Sequence, residues 1–198
     1  LLPARISAYN TGMDYAVFAF GPHDFPALLE PVVDVYREAF ADPPYEKGEG
    51  EVIAFASLLT AHTERPGFCG FWASDAAGSM IGFVYGFSGV PGQFWHDVVS
   101  QALDPALVER WLADYFTLVQ LAVCPRVQGR GIGTQLHDTI LGCTQHATAA
   151  LTTAQQETPA LRLYRRRGWR TIHENLFFPG DSTPMRVMAI DLLPRTGE

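Results

Sequence analysis

"RVQGRGIGTQLHD" (residues 126–138) places Gly129, Gly131 and Gly133 within five positions and then changes to a helical pattern. Glycine is unfavourable in regular structure, so this spacing asks for bare backbone. A strand-like run, "FTLVQLAV" (116–123), precedes it and is closed by Pro125. Both faces of that run are mostly apolar, which predicts a central, buried strand. Downstream, Ile132, Leu136, Ile140, Cys143 and Ala147 recur on one predicted helix face. Strand, glycine turn and amphipathic helix together make an anion site. The first amides of a helix lack partners and carry partial positive charge, and glycines let a phosphate approach them. Arg126 and Arg130 add charge; a plain tight turn is the other reading.

Two familiar phosphate loops do not fit. A Walker loop ends in Gly-Lys-Ser/Thr, and here Gly133 is followed by Thr134 with no Lys. The dinucleotide fingerprint is G-x-G-x-x-G after the first strand of a βαβ unit. This loop reads G-x-G-x-G, late in the chain.

Outward from the loop, the elements alternate. "DYAVFAF" (14–20) reads as a strand closed by Gly21-Pro22. Residues 25–40 carry apolar groups at helical spacing, broken by "ADPPYEKGEG" (41–50), and a second helix is predicted over about 49–62. "GFCGFWASD" (67–75) and "SMIGFVYGFSG" (79–89) form a hairpin across Ala76-Ala77-Gly78. An aromatic-rich segment, Val90 to Tyr115, follows. It contains the helix-like "PALVERWLADY" (105–115), with Pro105 in its first turn behind a capping Asp104. After the glycine helix come a strand, "ALTTAQ" (150–155), and a short helix capped by Thr158 that ends at Gly168. "WRTIHENLFF" (169–178) and "PMRVMAIDLL" (184–193) read as closing strands. Hairpins mixed with crossovers predict an α/β fold on a mixed sheet in one domain, residues 1–198.

Gln128-Gly129-Arg130-Gly131-Ile132-Gly133 resembles the Q/R-x-x-G-x-G/A motif of the GNAT superfamily of acyl-CoA-dependent N-acyltransferases. "LAVCPRV" (121–127) resembles that family's fourth strand and its turn. "ALRLYRRRGW" (160–169) resembles its second motif, A-x-x-L-Y-x-x-x-G-F/W. The resemblance covers residues 14–191. It implies a single-domain GNAT-like fold, with a mixed central sheet of about seven strands and about four helices. The aromatic-rich insert, 90–115, then stands before the fourth strand.

The resemblance implies acetyl transfer from acetyl-CoA to a primary amine of a small molecule or peptide. Backbone amides of Gln128, Gly129, Arg130, Gly131, Ile132, Gly133 and Thr134 would wrap the pyrophosphate. Leu121, Ala122 and Val123 would run beside the pantetheine arm. Tyr164 stands where the family places the tyrosine that protonates the departing thiolate, a role suited to a phenol with a pKa near ~10. Seven positions earlier the family often carries an Asn in contact with the pantetheine; here it is Glu157. Arg165, Arg166 and Arg167 end that helix, where cations suit the dipole.

No general base stands out. "FTLVQLAV" offers Thr117 and Gln120 but no acid, and His96, Glu109 and Asp114 lie nearby in sequence. A water chain, or an amine already neutral in solution, would need no dedicated residue. The acceptor side is expected between residues 41–51 and the insert. Tyr45, Trp95 and Trp111 would form its wall, and Glu46, Glu49 or Asp97 would receive a cation. A catalytically weak acyl-CoA-binding module is the alternative reading.

Composition agrees with a globular chain of 198 residues, 47% hydrophobic and 18% charged. A net charge of −7 disfavours nucleic acid as a partner and suits a cationic acceptor. The N-terminal stretch lacks the basic end and apolar core of a secretory signal, and no apolar run is long enough to span a membrane. Cys69, Cys124 and Cys143 are odd in number and widely spaced, which suits a reducing cytoplasm. Cys143 and His146 form the one close Cys/His pair, without the second pair a tetrahedral metal site needs, so no metal is expected. The resemblance also allows a homodimer.

Overall fold

The computed structural model describes residues 5–10 and 14–192. They divide into two compact units, the first comprising 5–10, 14–87 and 120–143, the second 88–119 and 144–192.

The first unit holds strands β1 (Arg5–Asn10), β2 (Asp14–Phe20) and β3 (Cys69–Asp75), with most of β4 (Met80–Gly89) and the end of β5 (Tyr115–Val123). Its strand order is β1-β2-β3-β4-β5, with β1 to β4 successively antiparallel. The β3–β4 turn follows from its residues. Asp75 Oδ1 accepts from Ala77 N and Ser79 N, at 3.0 and 2.9 Å, and Gly78 takes a φ of +87°. Register places Phe18 opposite Trp72, and the two rings stack at 4.9 Å.

Helices α1 (Phe25–Phe40), α2 (Glu49–His62) and α5 (Ile132–Cys143) belong to this unit. Pro26 in the first turn of α1 gives up no ladder bond, whereas Pro31 inside it does. Buried Phe25, Val32, Val35 and Tyr36 define its core face. Tyr36 stacks on Phe55 of α2 at 3.8 Å. The α2 N-terminus is closed by Glu51 Oε2, which accepts from Gly48 N at 3.0 Å. The exposed pair Arg37–Glu49 links α1 to α2 and is screened by solvent.

The second unit orders its strands β5-β6-β8-β7, with β6 at Thr148–Ala154, β7 at Arg170–Leu176 and β8 at Met185–Asp191. Pairing β5–β6 is parallel, while β6–β8 and β7–β8 are antiparallel, so the sheet is mixed, as expected. Helices α3 (Phe94–Ala102), α4 (Pro105–Leu112) and α6 (Pro159–Arg166) complete this unit. Its core gathers Val99, Leu103, Trp111, Leu112, Tyr115, Ala150, Leu176, Val187 and Ala189.

Several expectations need correction. Six α-helices stand among the described residues, against about four expected, while the sheet of eight strands agrees with the expectation of about seven. The extra strand is β1, in a stretch that had shown no pattern. The insert contributes α3 as well as α4, and it precedes β5, the strand expected to correspond to the family's fourth. Asp104 is the N-cap of α4 but makes no side-chain capping bond. In α5, His137 is buried, Cys143 is exposed, and Ala147 lies beyond the helix end. The thiol and the alanine therefore leave the predicted face, and an imidazole joins the interior.

Candidate functional site

β5 carries the backbone that the reading depends on. It pairs with β6 at Tyr115↔Thr148, Phe116↔Ala149 and Thr117↔Ala150. Leu118 and Val119 continue β5 without a β6 ladder partner. Burial follows the same change: residues 115–118 are buried and 119–121 half-buried. A strand that leaves its neighbour exposes main-chain donors and acceptors, which must find other partners.

Leu121, Ala122 and Val123 lie in the first unit with the glycine loop. Cys124 N donates to Ile81 O at 3.0 Å, which fastens the end of β5 to β4. The approach is close at Gly82, where a Cβ would stand 3.0 Å from Ala122 O and 3.2 Å from Leu136 Cδ1. One turn of 3-10 helix, Pro125–Val127, then reverses the chain. Gln128 folds back over it, and its Nε2 donates to Val123 O at 3.0 Å.

Gly129 and Gly131 have φ of +77° and +84°, in the left-handed region that side chains disfavour. Nothing lies within 4 Å of where a Cβ on Gly129 would stand, so backbone conformation explains that glycine, not crowding. At Gly133 a Cβ would meet Val123 Cγ2 at an ordinary 3.6 Å. The first bond of the α5 series runs from Gln135 N to Gly131 O, at 2.9 Å. The amides of Ile132, Gly133 and Thr134 therefore precede the ladder, at the positive end of the helix. Residues 128–131 are exposed. The loop thus combines exposed, left-handed glycine backbone with ladder-free amides at the start of α5, the elements from which a phosphate site is built. Arg126 lies 3.7 Å from Glu38 of α1, so its charge is partly engaged there. Cys124 beside the loop is buried, and burial pushes its thiol up to about 12, far from a nucleophile's range.

Tyr164 and Glu157 belong to the second unit. Thr158 Oγ1 accepts from Leu161 N at 3.0 Å, the cap expected from sequence. Gly168 closes α6 with a φ of +87°. Leu161, Leu163 and Tyr164 form the buried face of α6. Tyr164 is 5% exposed, and its ring lies 5.6 Å from that of Trp169 at 57°. Glu157 Oε2 accepts from Arg165 Nη1 at 2.6 Å, with Arg162 at 4.0 Å from Oε1. Two arginines of α6 thus engage the group that replaces the family's Asn.

The base candidates separate. His96 is buried with its Nδ1 3.0 Å from Tyr115 Oη, and burial lowers its pKa. Glu109 is exposed. Asp114 is taken by His146, whose Nδ1 lies 2.5 Å from Asp114 Oδ1. That hydrogen bond holds the Asp114 carboxyl below its usual range.

The aromatic residues expected to line an acceptor wall have structural partners. Trp111 sits in the core of the second unit. Trp95 packs against that core, with its Nε1 3.3 Å from Thr152 Oγ1. Tyr45 meets Phe40 edge-on at 4.8 Å. Among the described residues no group of three or more His, Cys, Asp or Glu could hold a metal ion. No described helix is long and apolar enough to cross a membrane.

The sequence model of the acetyltransferase (GNAT) family matches residues 29–169, a span that includes the glycine loop and Tyr164. The chain belongs to the GNAT family. A GCN5-like protein acetyltransferase of Mycobacterium tuberculosis (strain ATCC 25618 / H37Rv) is 34% identical over 117 residues, 55% of this chain and 57% of that protein. The match thus spans little more than half of this curated relative. Among solved structures, a Desulfovibrio desulfuricans protein assigned to the GNAT family aligns with a TM-score of 0.64 at 16% identity. That alignment covers 90% of this chain and 99% of the other. The ribosomal-protein-S18-alanine N-acetyltransferase of Escherichia coli aligns with a TM-score of 0.58 at 19% identity, over 93% and 97% of the two chains. At these identities the likeness is one of fold, and it is the GNAT fold that the two motifs implied.

Proposed function

We propose that the chain is an N-acetyltransferase that moves an acetyl group from acetyl-CoA to a primary amine. The observation that carries this reading is the left-handed Gly129 and Gly131 backbone leading into ladder-free amides at the start of α5. Family membership supplies the donor: acetyl-CoA brings the acyl thioester and, once the acyl group leaves, a thiolate.

The chain's own residues then have distinct tasks. The amides of Gln128 to Thr134 bind the pyrophosphate, and the main chain of Leu121, Ala122 and Val123 orients the arm beside β5. Tyr164 holds a proton on its phenol oxygen for the departing thiolate, and its packing against Trp169 fixes the ring. Glu157, engaged by Arg162 and Arg165, sets the charge at the start of α6. No carboxylate stands on β5, so the acceptor amine loses its proton through a water chain or reacts from the fraction already neutral in solution. The acceptor is a peptide or small-molecule amine; the protein acetyltransferase among the relatives favours a peptide.

The test is release of the CoA thiol, followed with a thiol reagent across a panel of peptide, amino-acid and polyamine amines. Release that depends on an added amine supports the reading. Tight CoA binding with no acceptor-stimulated release across the panel would instead make the chain a binding module.

A further inference from the structure

In the second unit, three residues far apart in sequence meet in one hydrogen-bonded line. Ser88, near the end of β4, has its Oγ 2.9 Å from His146 Nε2. His146 Nδ1 is 2.5 Å from Oδ1 of Asp114, the residue just before β5. A carboxylate can only accept, so the Nδ1 position carries the proton and donates to Asp114. The Nε2 lone pair is then free to accept from the Ser88 hydroxyl. This is the order of a base-activated serine: nucleophile, imidazole, orienting carboxylate.

The frame around it is fixed from several sides. Asp114 Oδ2 accepts from Ala147 N at 3.0 Å. Asp114 O accepts from Thr148 N at 3.2 Å and Thr148 Oγ1 at 3.1 Å. Behind the serine, Ser88 O accepts from Gln93 Nε2 at 3.1 Å, and Gln93 Oε1 accepts from Val90 N at 3.2 Å. The Phe116 ring lies 6.3 Å from the imidazole. Ser88 is half-buried rather than buried, and the His146 side chain beside it is 25% exposed, which leaves a small reagent a way in. The acetyl-transfer assignment above uses none of these three residues.

We infer that Ser88, His146 and Asp114 form a second reactive site, a serine nucleophile that attacks small activated carboxylic esters. Ser88 Oγ bonds to the ester carbonyl carbon while its proton passes to His146 Nε2. The bond from that carbon to the alkoxy oxygen breaks, and the alcohol leaves with the proton from Nε2. Water, deprotonated by the same imidazole, then attacks the acyl-serine ester. It releases the carboxylic acid and restores the Ser88 hydroxyl. No oxidant, metal or acetyl-CoA enters the balance.

The experiment treats the chain, without acetyl-CoA, with an alkyl fluorophosphonate and separately with p-nitrophenyl acetate. Peptide mass spectrometry then locates any adduct. The inference expects the phosphonyl group on Ser88 and p-nitrophenol release above the background rate. Ser88→Ala abolishes both. Asp114→Asn slows labelling by ~10²-fold, less than the ~10⁴-fold of a buried triad because Asp114 is largely exposed. Unlabelled Ser88 in the wild-type chain, or a labelling rate that Asp114→Asn leaves unchanged, would show that the three residues only fasten strand ends. The wild-type adduct map requires no variant to fold, and circular dichroism of each variant confirms that it has.

Discussion

The side chain of Gln128 donates to the main-chain carbonyl of Val123 at 3.0 Å, tying the glycine loop to the end of the strand it follows. One hydrogen bond therefore sets the spacing between two segments assigned to the same donor molecule. Gln128→Ala should leave the fold intact, because Gln128 is exposed. Loss of one such bond, worth ~1 kcal/mol, raises the KM for acetyl-CoA by about fivefold and changes kcat less. Initial-rate measurements at varied acetyl-CoA check this.

Gly131→Ala acts through the backbone. At a φ of +84° an alanine is strained by ~1–2 kcal/mol, and relief of that strain turns the loop amides away from the ligand. We expect CoA affinity in calorimetry to fall by roughly tenfold or more. Alanine at Gly142, an exposed position with open space around its Cβ, should leave affinity unchanged.

Tyr164→Phe keeps the ring that packs against Trp169 and removes the phenol hydroxyl. If the phenol protonates the leaving thiolate, kcat falls by ~10²-fold while the KM for acetyl-CoA stays close to wild type. Single-turnover measurements separate the chemical step from product release. Unchanged single-turnover rates would leave Tyr164 as a packing residue only.

His62 makes stability depend on pH. It is half-buried, with its Nδ1 3.2 Å from Tyr85 Oη. Burial, aided by the Arg65 charge, lowers its pKa to about 4. An unfolded histidine titrates near ~6.5, so between these values the unfolded chain binds more protons than the folded one. Stability is therefore lost as pH falls from about 6.5 towards about 4, and this contribution is constant outside that window. The thermal midpoint of the wild type should drop more steeply across it than that of His62→Gln. Other titrating groups cancel in the difference.

Much of this was legible in the chain, and the exceptions have physical causes. The bounds of α1 and α2 followed from apolar spacing and from the prolines and glycines between them. Thr158 announced the start of α6, because a capping hydroxyl is a local device with a local signature. By contrast, α3 carries aromatic and β-branched residues at Phe94, Trp95, Val98 and Val99, which favour helix weakly. Packing of Val99 into the core overrides that preference. The glycine loop was readable because its motif is contiguous in sequence. Ser88, Asp114 and His146 were not, because their association depends on where β4 ends and where β5 and β6 begin. His146 stood out in sequence only for its nearness to Cys143, yet it turns to Asp114 and Ser88.

The most direct test of the central claim is to incubate the chain with acetyl-CoA carrying an isotopically heavy acetyl group and a set of peptide and polyamine acceptors. Tandem mass spectrometry then reads where the label goes. The account predicts heavy acetyl on a primary amine of at least one acceptor, with label transfer strongly reduced by Gly131→Ala. Acceptors that all remain unlabelled while CoA stays bound to the chain would contradict it.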